Sequence, residues 1–78
     1  MSAERRAILD LLAQRDAGKT ICPSEAARLV GGVEYRGRMD AVREAARDLV
    51  AEGEIEVTQR GAVVDLDAAR GPIRLRRT

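Results

Sequence analysis

The chain has 78 residues and a net charge of +1, with one cysteine, one tyrosine and no histidine, phenylalanine or tryptophan. This composition excludes an intramolecular disulfide and a zinc site of cysteine and histidine ligands. It also restricts the core to aliphatic side chains. The chain length is near the lower limit at which a domain folds unaided, and we expect a single domain over residues 1–78.

Two helices are predicted before Gly31 and Gly32. Ser2 is a favourable N-cap, and the apolar spacing that follows predicts helix 1 over residues 3–15. Its apolar residues are Ile8, Leu9, Leu11 and Leu12. Pro23 suits the first turn of a helix, so helix 2 is predicted over residues 23–30. The residues expected to face inward from it are Ala26, Leu29 and Val30.

A third, longer helix is predicted over residues 35–52, ended by Gly53. The side chains expected to be buried from it are Met39, Val42, Ala46, Leu49 and Val50. On a helical projection the direction opposite this set carries Gly37, Glu44 and Asp48, with Asp40 and Ala41 nearby. The outermost face of helix 3 is therefore predicted to be acidic.

Beyond Gly53 the pattern changes from helical to alternating. Residues 54–59 predict a half-buried strand, and residues 73–76 repeat its alternation. The connection 60–71 is predicted to form a wing with one helical turn near residues 67–70, and residues 19–22 are predicted as a short strand before helix 2. The order predicts an α+β fold of the winged helix-turn-helix type, with three helices and a small antiparallel sheet.

Three motifs carry a family resemblance over nearly the whole chain. They are Gly18-Lys19-Thr20-Ile21-Cys22-Pro23-Ser24-Glu25, Glu56-Val57-Thr58-Gln59 and Ala69-Arg70-Gly71-Pro72-Ile73-Arg74-Leu75-Arg76. On them the chain resembles a small family of uncharacterised bacterial proteins with a winged-helix fold. Tyr35 stands where that family usually has tryptophan. The resemblance implies the fold and supplies no activity.

Two motifs resemble functional sites, a phosphate-binding loop and a reactive cysteine, and we interpret both as structural. Gly18-Lys19-Thr20 ends like a phosphate-binding loop, but the glycine that the loop needs five residues earlier is Ala13, within predicted helix 1. Cys22 precedes the start of helix 2, where a thiolate could be stabilised, yet the chain has no histidine to pair with it. We expect Cys22 to be a small buried hydrophobe.

The sequence predicts no enzyme, no cofactor and no metal. Its carboxylates alternate with arginines along helix faces, as on a solvated surface, and a chain of this size has little room for a deep pocket. No apolar segment approaches the roughly 20 residues of a membrane span, and the charged N-terminal segment does not resemble a signal peptide. We expect a cytoplasmic protein that does not contact membranes.

The distribution of arginines leads to our first functional hypothesis, that the protein contacts duplex DNA. Residues 1–53 carry nine basic and nine acidic side chains, whereas the last nine residues carry four arginines and no acid. Because arginine suits both phosphates and guanine, the N-terminus of helix 3 and the wing are predicted to bind DNA. The predicted contact residues are Arg36, Arg38, Arg43, Arg47, Arg60, Arg74 and Arg76. Arg70 also falls in the wing.

A non-catalytic protein-interaction or dimerisation module of the same fold is the alternative. The acidic outer face predicted for helix 3 is unfavourable in a groove lined with phosphates, which leaves only its N-terminus and the wing for DNA. Helix 1 has apolar residues on more than one face, which predicts an exposed patch and a homodimer formed through helix 1. Single-stranded nucleic acid is disfavoured because the chain lacks stacking aromatic residues.

Overall fold

The computed structural model describes residues 2–78, beginning with helix α1 (Ala3–Ala13). The Ser2 hydroxyl accepts a hydrogen bond from the Arg5 backbone N–H at 3.1 Å, as predicted for an N-cap. Ile8 and Leu12 are fully buried, and the other two leucines of α1 are half-buried against the same core. The apolar residues on which the helix 1 dimer was predicted are therefore largely covered by the protein itself.

Helix α2 (Pro23–Gly31) begins at the predicted proline and buries Pro23, Ala26 and Ala27. The prediction that Leu29 faces inward is wrong, because its side chain is 59% exposed. At 100° per residue, Leu29 lies about 100° from the centre of the buried stripe, which Val30 extends. Leu29 is left as an exposed apolar residue near the end of α2.

The predicted third helix is divided into two segments. A 3₁₀ segment (Gly32–Arg38) precedes helix α3 (Met39–Ala51). Gly32 has φ +58°, a left-handed conformation that ends α2 and starts a new direction. Arg36 therefore lies in the 3₁₀ segment before α3, and Arg38 ends that segment as the N-cap of α3.

Helix α3 presents a buried face made of small aliphatic residues. The buried set is Val42, Ala45, Ala46 and Leu49. Met39 is half-buried, whereas Val50, which was predicted to be buried, is 39% exposed near the C-terminal end of the helix. Asp40, Glu44 and Asp48 are exposed, so the acidic outer face predicted from the sequence is confirmed.

A three-stranded antiparallel sheet follows the helices, as the α+β prediction required. Its strands are β1 (Ile55–Gln59), β2 (Ala62–Val63) and β3 (Arg74–Arg77), in the spatial order β2-β1-β3. Val57 pairs with Leu75 in the β1–β3 register. Ile21 and Leu75 exchange two backbone hydrogen bonds of 2.8 Å, so a single bridge replaces the predicted strand at residues 19–22.

A tight hairpin joins β1 to β2, where the sequence predicted only an irregular connection. Gln59 pairs with Ala62, which leaves Arg60 and Gly61 as a two-residue turn. Both have positive φ, 52° and 82°, and two left-handed residues in succession define the type I′ turn that suits a twisted hairpin. The turn projects Arg60 into solvent at the tip of the hairpin.

One cluster of buried residues joins the helices to the sheet. Its fully buried larger side chains are Ile8, Leu12, Ile21, Val42, Leu49, Ile55, Val57 and Leu75. Leu66 and Ile73 close it from the connection between β2 and β3, and Tyr35 packs against its edge. Among residues 2–78, no helix combines the length and the apolar character needed to cross a bilayer.

Candidate nucleic-acid interface

Arg60 and Arg70 line the same cleft beside the hairpin turn. This wing cleft has a volume of about 320 Å³, and its wall is formed by Gln59, Arg60, Val64, Arg70 and Pro72. Both arginines are exposed, and no acidic side chain belongs to the wall. Two arginines that line an acid-free concave surface form a positive site, and arginine side chains are suited to binding phosphate groups.

The side chain of Gln59 holds the two sides of the wing cleft together. Its amide nitrogen donates to the carbonyl oxygen of Arg70 at 2.6 Å and to that of Pro72 at 3.1 Å. Because Gln59 is the last residue of β1, these bonds fix the chain before β3 to the end of the central strand. The Val64 N–H also donates to the Val57 carbonyl at 2.8 Å, which extends the β1–β2 pairing past the end of β2.

The two predicted contact residues of β3 differ in their surroundings. Arg74 is exposed and donates to the Thr20 hydroxyl at 2.9 Å, so it keeps its charge without an acidic partner in the described chain. Arg76 is half-buried and donates to the carboxylate of Glu56, its cross-strand partner, at 3.0 Å. The charge of Arg76 is therefore largely neutralised by Glu56.

Arg47, in the middle of α3, is bound to two acids. Its guanidinium donates to Asp67 at 2.7 and 3.0 Å and to Glu44 at 2.7 Å. The hydrogen bonds from Arg47 hold the pKa of Asp67 below its ordinary value. Asp67 belongs to the connection between β2 and β3, so this connection places a carboxylate against Arg47, one of the predicted contact residues.

Arg43, one turn earlier on α3, is half-buried. Its positive charge also helps to lower the pKa of Asp67. With the exposed acids of the outer face close by, the middle of α3 attracts phosphates poorly.

The 3₁₀ segment carries the two remaining candidates around the single aromatic ring. The guanidinium carbon of Arg36 lies 5.0 Å from the Tyr35 ring centroid, and that of Arg28 lies 4.5 Å from it. Arg38 is 3.9 Å from Glu4 with 54% of its side chain exposed, a weak surface pair. Arg36 and Arg38 thus remain exposed and charged, and Tyr35 limits the freedom of Arg36.

Two basic residues of these surfaces lie outside the predicted contact set. Arg70 was placed in the wing by the sequence, and the Gly71-Pro72 pair after it is a turn signal that could have indicated its position beside β1. Arg28 is seven residues before Tyr35, and no sequence pattern relates an α2 side chain to a ring in a 3₁₀ segment. The position of Arg28 beside the Tyr35 ring depends on the bend of the chain at Gly32.

Cys22 is the N-cap of α2 and is half-buried, more accessible than predicted. Its sulfur accepts a hydrogen bond from the Ser24 hydroxyl at 3.1 Å, and its backbone N–H donates to the Glu25 carboxylate at 2.7 Å. These contacts organise the start of the helix. Within residues 2–78, no three acidic or cysteine side chains converge as metal ligands.

Comparison with known proteins places the chain in one family. The family described as "Protein of unknown function (DUF3253)" matches residues 2–78, and the chain belongs to it. No curated protein matches the sequence.

Proposed function

We propose that this member of the DUF3253 family is a winged-helix domain without catalytic activity that binds duplex DNA by its phosphate backbone. The contacts come from the wing cleft and the 3₁₀ segment. The middle of α3 stays outside the groove.

The winged-helix assignment is supported by the order of the elements. Helices α1, α2 and α3 precede an antiparallel pair of strands, β1 and β3. The segment around Ile21, between α1 and α2, joins the sheet beside β3 through Leu75. A bridge after helix 1 that flanks the last strand of a small antiparallel sheet fits an elaborated helix-turn-helix.

The observation that carries the DNA proposal is that Arg60 and Arg70 both line one acid-free cleft. Arginine binds phosphate oxygens through two parallel N–H donors, and two such groups can hold one phosphate or two successive phosphates. The type I′ turn and Gln59 fix the backbone that carries both side chains. Less conformational freedom is then lost when an anion binds.

The seven predicted contact residues take different roles in this proposal. Arg60 joins Arg70 in the cleft, Arg36 and Arg38 approach from the 3₁₀ segment, and Arg74 and Arg43 add positive charge at the flanks. Arg47 and Arg76 are assigned to structural ion pairs, because binding a phosphate would require each to leave a carboxylate within 3.0 Å.

Titration of a short fluorescent duplex at about 50 and about 200 mM salt tests the proposal, because phosphate contacts make affinity fall steeply as salt rises. The matched variants are Arg60→Asn with Arg70→Gln, since asparagine tolerates the left-handed turn position. We expect this double variant to bind more weakly and to reduce the slope of log K against log salt by about 1.8, the loss of two phosphate contacts.

Arg77→Gln is the control for this experiment, because Arg77 pairs with Ile55 at the end of the sheet away from the hairpin turn. It should leave the salt slope within error of the wild type. Failure of the wild type to bind duplex at low salt would exclude the DNA proposal. Equal binding by the wild type and the double variant would exclude the wing cleft as the site.

A second candidate, a protein-interaction module that binds no nucleic acid, is favoured by the acidic surface of α3. Asp67 neutralises Arg47, and Asp40, Glu44 and Asp48 are exposed on the same helix. Such a surface repels phosphates. The same titration separates the candidates, because this module predicts no duplex binding at any salt concentration.

A further inference from the structure

Helices α1 and α2 form a shallow groove on the surface. This α1–α2 groove has a volume of about 430 Å³ and is lined by Ala3, Arg6, Ala7, Asp10, Leu29 and Val30. Its floor is aliphatic and includes Leu29, the exposed residue that lies outside the buried face of α2. An exposed leucine beside two alanines gives a surface that another helix can approach closely.

The rim of the groove carries one charge of each sign. Arg6 and Asp10 lie four residues apart on α1, about 6 Å along its axis. Neither takes part in an ion pair among the described residues. An arginine N-terminal to its acid is also the less favourable order for pairing within one helix. Both charges are thus available to a partner.

We propose that the α1–α2 groove binds a second copy of the chain, with the two α1 helices antiparallel about a two-fold axis. An axis at the level of Ile8, midway between the two charges, places Arg6 of each copy opposite Asp10 of the other. One contact then generates the second by symmetry. Leu29 of each copy covers the aliphatic floor of the other groove.

The balanced charges favour a second copy over another occupant. A basic or acidic partner would satisfy only one of the two rim charges, whereas the same surface rotated by a two-fold axis satisfies both. The smallest stable interfaces bury about 600 Å² per partner. This is about an eighth of the 4914 Å² accessible surface of the chain, so the interface must extend beyond the groove itself. The proposal does not depend on DNA binding.

Sedimentation equilibrium with charge-reversal variants tests this dimer. The wild type should be in a concentration-dependent monomer–dimer equilibrium that weakens as salt rises. Arg6→Asp gives the rim two acids and Asp10→Arg gives it two bases, so each variant alone should raise the dimer dissociation constant on the order of tenfold or more through like-charge contacts. An equimolar mixture of the two should form a heterodimer, because every rim acid then faces a base.

Arg77→Asp is the matched control, with the same charge change on β3, and should dimerise like the wild type. Leu29→Ser removes the apolar contact at an exposed position, so it should weaken the dimer while far-ultraviolet circular dichroism stays unchanged. A wild type that is monomeric at millimolar concentration overturns the proposal. So does a mixture that associates no better than its components, and neither result bears on the duplex titration.

Discussion

The Gln59 side chain donates a hydrogen bond to the Arg70 carbonyl oxygen at 2.6 Å, joining the end of β1 to the chain eleven residues later. The backbone positions of Arg60 and Arg70 are therefore coupled, because Gln59 immediately precedes Arg60. The positions of the two arginines that line the cleft therefore depend on the Gln59 amide. The chemistry of the Gln59 side chain can be changed with almost no change in its size.

Gln59→Glu replaces the donor with a carboxylate facing two carbonyl oxygens. We expect the free energy of unfolding to fall by about 1 kcal/mol, the usual net value of such a hydrogen bond. Hydrogen exchange should become faster for the backbone amides of residues 70–74. Urea denaturation and exchange mass spectrometry measure the two effects. Unchanged exchange in this segment would show that Gln59 does not hold the cleft.

Gln14→Glu is the control for that variant. Gln14 is exposed at the C-terminal end of α1, where an added carboxylate costs at most about 0.5 kcal/mol through the helix dipole. It should leave exchange in residues 70–74 unaltered. A similar acceleration in both variants would indicate a general effect of added negative charge.

Leu75→Ala should be among the most destabilising aliphatic substitutions in the chain. Leu75 is fully buried, pairs with Val57 on one side and bridges to Ile21 on the other. Removing such a side chain costs about 2–5 kcal/mol, and a core without large aromatic residues has little stability in reserve. Thermal unfolding by circular dichroism measures the loss. Val33→Ala, at a 94% exposed position, should change stability by less than about 0.5 kcal/mol.

Cys22 offers a test of its structural role at the start of α2. Serine is a better N-cap than cysteine, so Cys22→Ser should be at least as stable as the wild type, whereas Cys22→Ala should lose about 1 kcal/mol. Chemical denaturation of the two variants compares them. Slow reaction of the native thiol with a disulfide reagent is the expected companion result. Fast labelling at neutral pH would contradict a purely structural role.

The Arg5–Glu52 ion pair predicts a loss of stability in acid. Two hydrogen bonds, of 2.6 and 2.7 Å, join α1 to the C-cap of α3, and they hold the pKa of Glu52 below its ordinary value. Because the pKa of Glu52 is lower in the folded chain than in the unfolded chain, the ion pair stabilises the fold above the unfolded pKa of about 4.3. This contribution is lost as pH falls through the folded pKa.

Glu52→Gln should therefore flatten part of the decline in stability below about pH 4.3. Urea denaturation across the acidic range gives the two curves. Glu34→Gln is the control, because Glu34 is exposed and forms no ion pair within residues 2–78. Parallel curves for the wild type and Glu52→Gln would show that the pair contributes nothing to acid unfolding.

The elements with strong local signals were predictable from the sequence. Ser2 and Pro23 mark the starts of α1 and α2, and alternation after Gly53 indicates β1. The 3₁₀ segment was not foreseen, because its direction depends on Gly32 at positive φ and on packing against α2. Strand β2 was missed because arginine seldom occupies the first position of a type I′ turn.

The sequence predicted which arginines could form the candidate interface, but not which of them are paired with acidic side chains. Arginine content and spacing indicated which residues could meet phosphates, and five of the seven form no ion pair or only a weak one among the described residues. Arg47 and Arg76 do not, because Asp67 and Glu56 reach them from other elements. Such partners are set by the path of the connection after β2 and by the strand register, which local sequence patterns do not specify.

Tyr35 supplies the only strong near-ultraviolet chromophore of the protein, and it lies on the 3₁₀ segment against Arg28 and Arg36. Its emission and near-ultraviolet dichroism therefore report the junction between α2 and α3, while the sheet and the helical core are spectrally silent in that range. Loosening of this junction would change the tyrosine signal while the far-ultraviolet spectrum stayed native. Local opening and global unfolding thus have separate optical signatures in this chain, without any label.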